Sequence, residues 1–182
     1  TMGALSDIVR QGKALYVGLS NYNSEQLKRA AAILEDNKTP LLITQPRYNM
    51  FDRWVEDDGL LDTAKECSAG VICFSPLAQG MLTDRYINGI PDDSRAARNG
   101  FLRADSITPE VISKVKALSE VAESRNQSLA QMALSWVLRG NKVTTVLIGA
   151  SRREQIIDNC SIVDKLEFSE EELKLIEEIL NG

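Results

Sequence analysis

The sequence predicts a parallel α/β fold, and within that class one half of an eight-stranded barrel. Three observations predict it. Four short apolar runs, residues 14–19, 41–44, 70–74 and 143–148, are rich in Val, Ile and Leu and lack strict alternation. That is the pattern of strands covered on both faces. Helix-patterned segments separate the runs, so strand and helix alternate along the chain. Such alternation implies right-handed crossovers with the helices packed outside the sheet. Four strands would also make a small open sheet. A chain that opens inside a helix favours the half-barrel, with two unpaired edges.

The elements follow in order. Leu5, Ile8 and Val9 read as the end of an amphipathic helix begun upstream. After the first strand, Asn23 is a helix cap for a segment carrying Leu27, Ala31, Ile33 and Leu34 that ends before Pro40. Residues 58–67 form a shorter helical candidate. Thr108 and Pro109 make an N-cap and first-turn pair, with Val111, Ile112, Val115, Leu118 and Val121 as the buried stripe. Leu129, Met132, Ala133, Trp136 and Val137 repeat the pattern, as core rather than as cofactor contacts. Ser169 and Glu172 form a capping box for a last helix that closes at Asn181 and Gly182. Residues 77–105 show no clear period, and a loop of that length is usually functional or disordered.

Composition narrows the function classes. The 182 residues are 43% hydrophobic and 26% charged, enough for one domain with a real core. A net charge of −5 argues against a binder of nucleic-acid backbone. No apolar run reaches the roughly 20 residues of a membrane span, and residues 1–13 carry no signal-peptide core. Cys67, Cys73 and Cys160 are scattered, odd in number and set in apolar stretches. They read as inert buried thiols in a reducing cytoplasm. With no His in the chain, a Ser-His-Asp triad, a Cys-His pair and a His-ligated zinc site cannot be completed within it. No metal site is expected.

In parallel α/β folds ligands bind beyond the carboxyl ends of the strands. Ser20 and Asn21 follow the first strand, and Gln45, Pro46 and Arg47 end the second. Phe74, Ser75, Pro76, Leu77, Ala78, Gln79 and Gly80 follow the third. The fourth leads into Gly149, Ala150, Ser151, Arg152 and Arg153, which open a helix carrying Gln155, Asp158 and Asn159. Ser20, Asn21 and Gln45 offer donors and acceptors suited to a carboxamide, and Phe74 offers a face for a flat ring. The turn 149–153 offers backbone N–H groups, a helix dipole and guanidinium charge to an anion. Arg85 and Arg95 in the long loop add charge-assisted bonds to phosphate. Carboxamide, flat ring and phosphate together describe a nicotinamide dinucleotide. Each cluster admits a plainer reading: Ser20-Asn21 as a cap, Ser151-x-x-Glu154 as a capping box, Phe74 as core, the arginines as solvated. No G-x-G-x-x-G is present, so an ordinary Rossmann site is not supported.

The segments G-L-S-N-Y, Q-P-R-Y-N-M-F-D-R, F-S-P-L-A-Q-G-M-L-T-D-R-Y and V-L-I-G-A-S-R-R-E-Q-I-I-D-N, in this order and spacing, resemble the aldo-keto reductase superfamily. The narrower match, in L-L-I-T-Q-P-R-Y-N, R-W-V-E-D-D-G-L-L-D-T and A-Q-M-A-L-S-W-V-L-R, is to the branch of bacterial L-glyceraldehyde 3-phosphate reductases and potassium-channel β subunits. The resemblance implies a (β/α)₈ TIM barrel that binds NADP(H) and reduces small aldehydes such as glyceraldehyde 3-phosphate or methylglyoxal. By it, Ser20, Asn21 and Gln45 hold the nicotinamide carboxamide and Phe74 stacks on the ring. Ser75, Pro76, Leu77, Gln79 and Gly80 line the pyrophosphate, with Arg85 and Arg95 closing over it. Gly149, Ser151, Arg153 and Gln155 take the 2′-phosphate and ribose, and Asp158 and Asn159 the adenine. Gln155 stands where many relatives have Arg, and Arg153 is the compensating charge.

The family's catalytic Asp, Tyr, Lys and His lie in its first four strands, and none of Tyr16, Tyr22, Tyr48 or Tyr86 matches the catalytic Tyr motif. The expectation is therefore residues 1–182 as a C-terminal half-barrel that supplies most of a cofactor site and no catalytic residue. Its expected partners are a small aldehyde, the N-terminal half-barrel and, through the open sheet edges, a second copy of the chain. The alternatives are a non-catalytic NADP(H)-binding regulatory subunit and an inactive fragment.

Overall fold

A computed structural model describes residues 1–87, 89–91 and 102–182. They form two compact units. The first comprises Thr1–Tyr48, Asp52–Phe74 and Gly140–Leu147; the second comprises Asn49–Phe51, Ser75–Arg139 and Ile148–Gly182.

The first unit is a parallel sheet in the order β1-β2-β3-β4, with β1 at Val17–Ser20, β2 at Leu41–Gln45, β3 at Gly70–Cys73 and β4 at Thr145–Val146. Helices α1 (Met2–Arg10), α2 (Ser24–Asp36), α3 (Trp54–Asp57) and α4 (Leu60–Glu66) complete it. Val17, Leu19, Thr44, Val71 and Cys73 are buried, as are Leu27, Ala30 and Leu34 of α2 and Leu60, Leu61 and Ala64 of α4. Burial alternates along β1 and β3, and Leu42 of β2 is 48% exposed, so only one face of the strands is buried. The coverage on both faces expected from the unbroken apolar runs is not found. Gly18, Ile43 and Gly70 lie in register across three strands. A Cβ added at Gly18 would meet Ile43 Cγ1 at 2.7 Å, so glycine is what admits the isoleucine beside it.

Several element bounds differ from the sequence reading for identifiable reasons. The first strand starts at Val17 and not at residue 14, leaving Leu15 and Tyr16 exposed. Its partner ladder begins only at Pro40, whose carbonyl accepts from Val17 N–H at 3.1 Å, so earlier residues have nothing to pair with. The fourth strand shrinks to two residues because Thr144 pairs partly through its side chain: Val71 N–H donates to Thr144 Oγ1 at 3.1 Å. The helix expected over 58–67 is the shorter α4, and α3, which the sequence reading did not foresee, precedes it, with Gly59 between them at φ 74. Asp58 does not open its own helix; its carboxylate accepts from Ser24 N–H at 2.6 Å, at the N-terminus of α2. Asn23 caps that same helix, as predicted, in a reciprocal box with Gln26. In α1 the buried residues are Met2 and Ser6, while Ile8 is exposed.

The second unit holds α5 (Pro109–Ser124), α6 (Leu129–Leu138), α7 (Arg153–Cys160) and α8 (Glu170–Asn181). Thr108 caps α5 with Pro109 in its first turn, and Ser128 and Ser169 form capping boxes with Gln131 and Glu172. Met132 and Trp136 are fully buried, as core. Val111 and Ile112 are only half-buried, and Ile112 instead packs on Tyr86 and Leu102. Arg125, with its side chain 7% exposed, ties α8 down: it pairs with Glu172 at 2.5 Å and lies 3.7 Å over the Phe168 ring.

Candidate functional site

The carboxyl ends of the strands in the first unit gather the polar residues that a core would reject. Ser20 and Gln45 are paired in register on neighbouring strands. The Ser20 hydroxyl and the Asn21 N–H both donate to the Gln45 carbonyl, at 2.9 and 3.2 Å. Asn21 then turns into the left-handed region at φ 56, a conformation that Asn tolerates better than most residues. This turn ends the strand, and the cap of α2 falls two residues later at Asn23. Ser20 and Asn21 are therefore not the cap. The side-chain amides of Asn21 and Gln45 are bonded to no described residue, so both are available to a carboxamide.

Phe74 is bridged to Arg47 across the strand ends, its N–H donating to the Pro46 carbonyl at 3.1 Å. It is half-buried and lines a cleft of about 500 Å³ with Asn21, Asn23, Gln26, Arg47 and Trp54. The cleft thus sets an aromatic face beside a side-chain amide that the fold leaves unused, chemistry compatible with a nicotinamide. Beside it, burial pushes the Cys73 thiol up to about 12, which keeps it protonated and non-nucleophilic. Cys67 is raised in the same direction, mainly by burial. Cys160 departs from the expectation of buried thiols: it is exposed on α7.

In the second unit Ser75, Ala78, Gln79 and Gly80 all have positive φ, at 53, 47, 59 and 102°. Each non-glycine residue there costs on the order of 1 kcal/mol, a cost that proteins concentrate at ligand-contacting loops. The loop is held by a ladder of its own. Leu77 accepts from Gly80 N–H at 2.8 Å and from Leu82 N–H at 3.2 Å, and Gly80 accepts from the Thr83 hydroxyl at 2.6 Å. Asn49, buried, fastens its start by donating to the Ser75 carbonyl at 3.0 Å. Pro76 is buried and Arg85 exposed. Arg95 lies outside the described residues.

Gly149, Ser151, Arg153 and Asp158 are exposed around the start of α7, and Asn159 is buried. The cap there is not Ser151 with Glu154. Gln155 Oε1 accepts from Ser151 N–H at 2.8 Å, from the Ser151 hydroxyl at 3.2 Å and from Arg152 N–H at 3.2 Å. Gln155 stands at the third position of α7, from which a side chain reaches back to the cap, and Glu154 stands one position too early. Asp158 accepts from Gln131 Nε2 through both its carbonyl and Oδ1 at 3.0 Å.

Sequence reasoning missed Asn49, Trp54 and the role of Arg47. The signal was available in Q-P-R-Y-N-M-F-D-R, where polar residues alternate with Tyr48 and Met50, both buried.

A parallel sheet with crossover helices and polar strand ends defines an α/β protein of the kind that binds ligands at its strand termini. The chain belongs to the Aldo/keto reductase family, which it matches over residues 1–181. It is 47% identical to an L-glyceraldehyde 3-phosphate reductase of Escherichia coli (strain K12), over 98% of this chain and 53% of that protein. It is 33% identical to a putative voltage-gated potassium channel subunit beta of Schizosaccharomyces pombe, over 98% of this chain and 54% of that one. Among solved structures, glycerol dehydrogenase from Gluconobacter oxydans superposes with a TM-score of 0.77 at 25% identity, over 98% of this chain and 53% of the other. The chain spans about half the length of these relatives. Among the described residues, no helix is long and apolar enough to cross a membrane.

Proposed function

We propose that this chain is the C-terminal half-barrel of an NADPH-dependent aldo-keto reductase of the cytoplasm, one that reduces small aldehydes such as glyceraldehyde 3-phosphate or methylglyoxal. The observation that carries the reading is the cleft in which Asn21, its amide unused by the fold, lies with the aromatic face of Phe74. In the first unit Ser20, Asn21 and Gln45 hold the carboxamide and Phe74 supports the ring. In the second unit Ser75, Pro76, Leu77, Gln79 and Gly80 with Arg85 and Arg95 serve the pyrophosphate. Gly149, Ser151, Arg153, Gln155, Asp158 and Asn159 serve the adenosine end. The bound nicotinamide supplies hydride. The residues here orient it, and proton donation falls to the half-barrel outside this sequence.

Titration of NADPH fluorescence against the 182-residue chain tests the reading. Saturable binding is expected, weakened about tenfold by Phe74→Ala, in keeping with the ~1–3 kcal/mol that ring stacking contributes. The same chain should show no aldehyde reduction, and turnover by it would overturn the assignment of catalysis to the other half. Absence of NADPH binding to the folded chain would sink the cofactor reading.

A further inference from the structure

Asn23 and Gln26 of the cleft are used by the fold, each side chain accepting from the other's backbone N–H at 2.8 and 3.1 Å. Arg47 and Trp54 are used differently. The Trp54 indole N–H donates to the Arg47 carbonyl at 3.0 Å, which pins the ring at the end of the second strand. The Arg47 side chain is 54% exposed and pairs through Nε with Asp52, itself 24% exposed. A guanidinium presents two donor edges. With Nε held by Asp52, the edge formed by the two terminal nitrogens is left for a ligand. Arg47 is the one charged residue among the six described residues that line the cleft. None of the six is acidic, so none repels an anion.

We propose that Arg47 and Trp54 form an anion subsite for substrate: the cleft takes a short aldehyde whose phosphate or carboxylate sits on the terminal edge of Arg47, against the Trp54 ring. The proposal rests on the nicotinamide reading, because Arg47 and Trp54 share their cleft with Phe74 and Asn21. Arg47 here is a specificity residue. It selects what lies beside the ring and takes no part in the transfer. Asp52 is its strut and also its competitor, since the carboxylate neutralises part of the charge the ligand would meet.

The test uses the ¹⁵N-labelled chain with glycerol 3-phosphate, glycerate and uncharged glycerol as probes, alone and with saturating NADP⁺. Both anions should move the Trp54 indole N–H resonance and leave that of Trp136, which is fully buried, in place. Glycerol should move neither. Arg47→Gln should weaken anion binding about tenfold. Asp52→Asn should tighten it severalfold, an opposite sign that a damaged fold would not produce. Anion binding unchanged in Arg47→Gln, or anions displaced by NADP⁺, would overturn the subsite. Arg47-dependent anion binding without any NADP⁺ binding would sustain the subsite and sink the cofactor reading alone.

Discussion

Thr44 lies fully buried in β2, and its hydroxyl finds no partner among the described residues. Replacing it with the isosteric Val removes an unmet hydrogen bond and keeps the β-branched shape. Thr44→Val should therefore raise stability by about 1 kcal/mol in urea unfolding. Asn21 is constrained in the opposite way, by its backbone. At φ 56, Asn21→Gly should hold stability within a few tenths of a kcal/mol while weakening NADPH binding, and Asn21→Val should cost about 1–2 kcal/mol. Comparing the two separates the amide's role in binding from its role in the turn. Cys73 gives the chain a pH signature. The folded thiol keeps its proton up to about 12 while the unfolded thiol loses it near the ordinary 9.0. The Cys73 contribution is thus whole below pH 9 and lost as pH rises from there towards 12. Stability measured at pH 8 and pH 10.5 should fall less in Cys73→Val than in the parent. Ser20, Asn21 and Gln45 stood out in the sequence as candidates because polar side chains closing an apolar run are costly unless a turn or a ligand takes them up. The left-handed backbone at Ser75, Ala78 and Gln79 was not, because residues other than glycine give no sequence signal for it.

At the scale of elements, patterning showed which segments are helix or strand and missed where each stops. The capping box at Ser169 was readable because both partners lie within one turn, and the equivalent box of Ser128 with Gln131 went unread. The strand limits at Val17 and Thr145 depend on what the neighbouring chain offers, which no local pattern records. The same holds for Asp58, which serves a helix 34 positions earlier. The alignment of Gly18 with Ile43 predicts a coupled pair. Gly18→Ala places a methyl 2.7 Å from Ile43 Cγ1 and should cost about 1–2 kcal/mol through overpacking. In an Ile43→Ala background most of that cost should vanish, and additive energies in the double-mutant cycle would show that the two do not touch.

For the whole molecule, alternation of strand and helix was enough to foresee a parallel sheet, and the order of its strands follows the order of the chain. The division into two units was not foreseen, because each draws on distant stretches: the first unit takes back residues 140–147 after a long excursion. Among the described residues β1 and β4 each pair on one side only. Such edges invite pairing with another chain. The apparent mass in light scattering should rise with concentration, and Leu147→Lys, at a position 46% exposed just past β4, should blunt the rise. The register of β3 with β4 also carries a consequence for synthesis. Ile72 must wait for Thr145, and at about 5–20 residues per second the ribosome delivers that partner several seconds after β3 itself. Through that interval the nascent chain shows the Ile72 side of β3 without its neighbour, so this crossover is where a chaperone or a premature contact would find it.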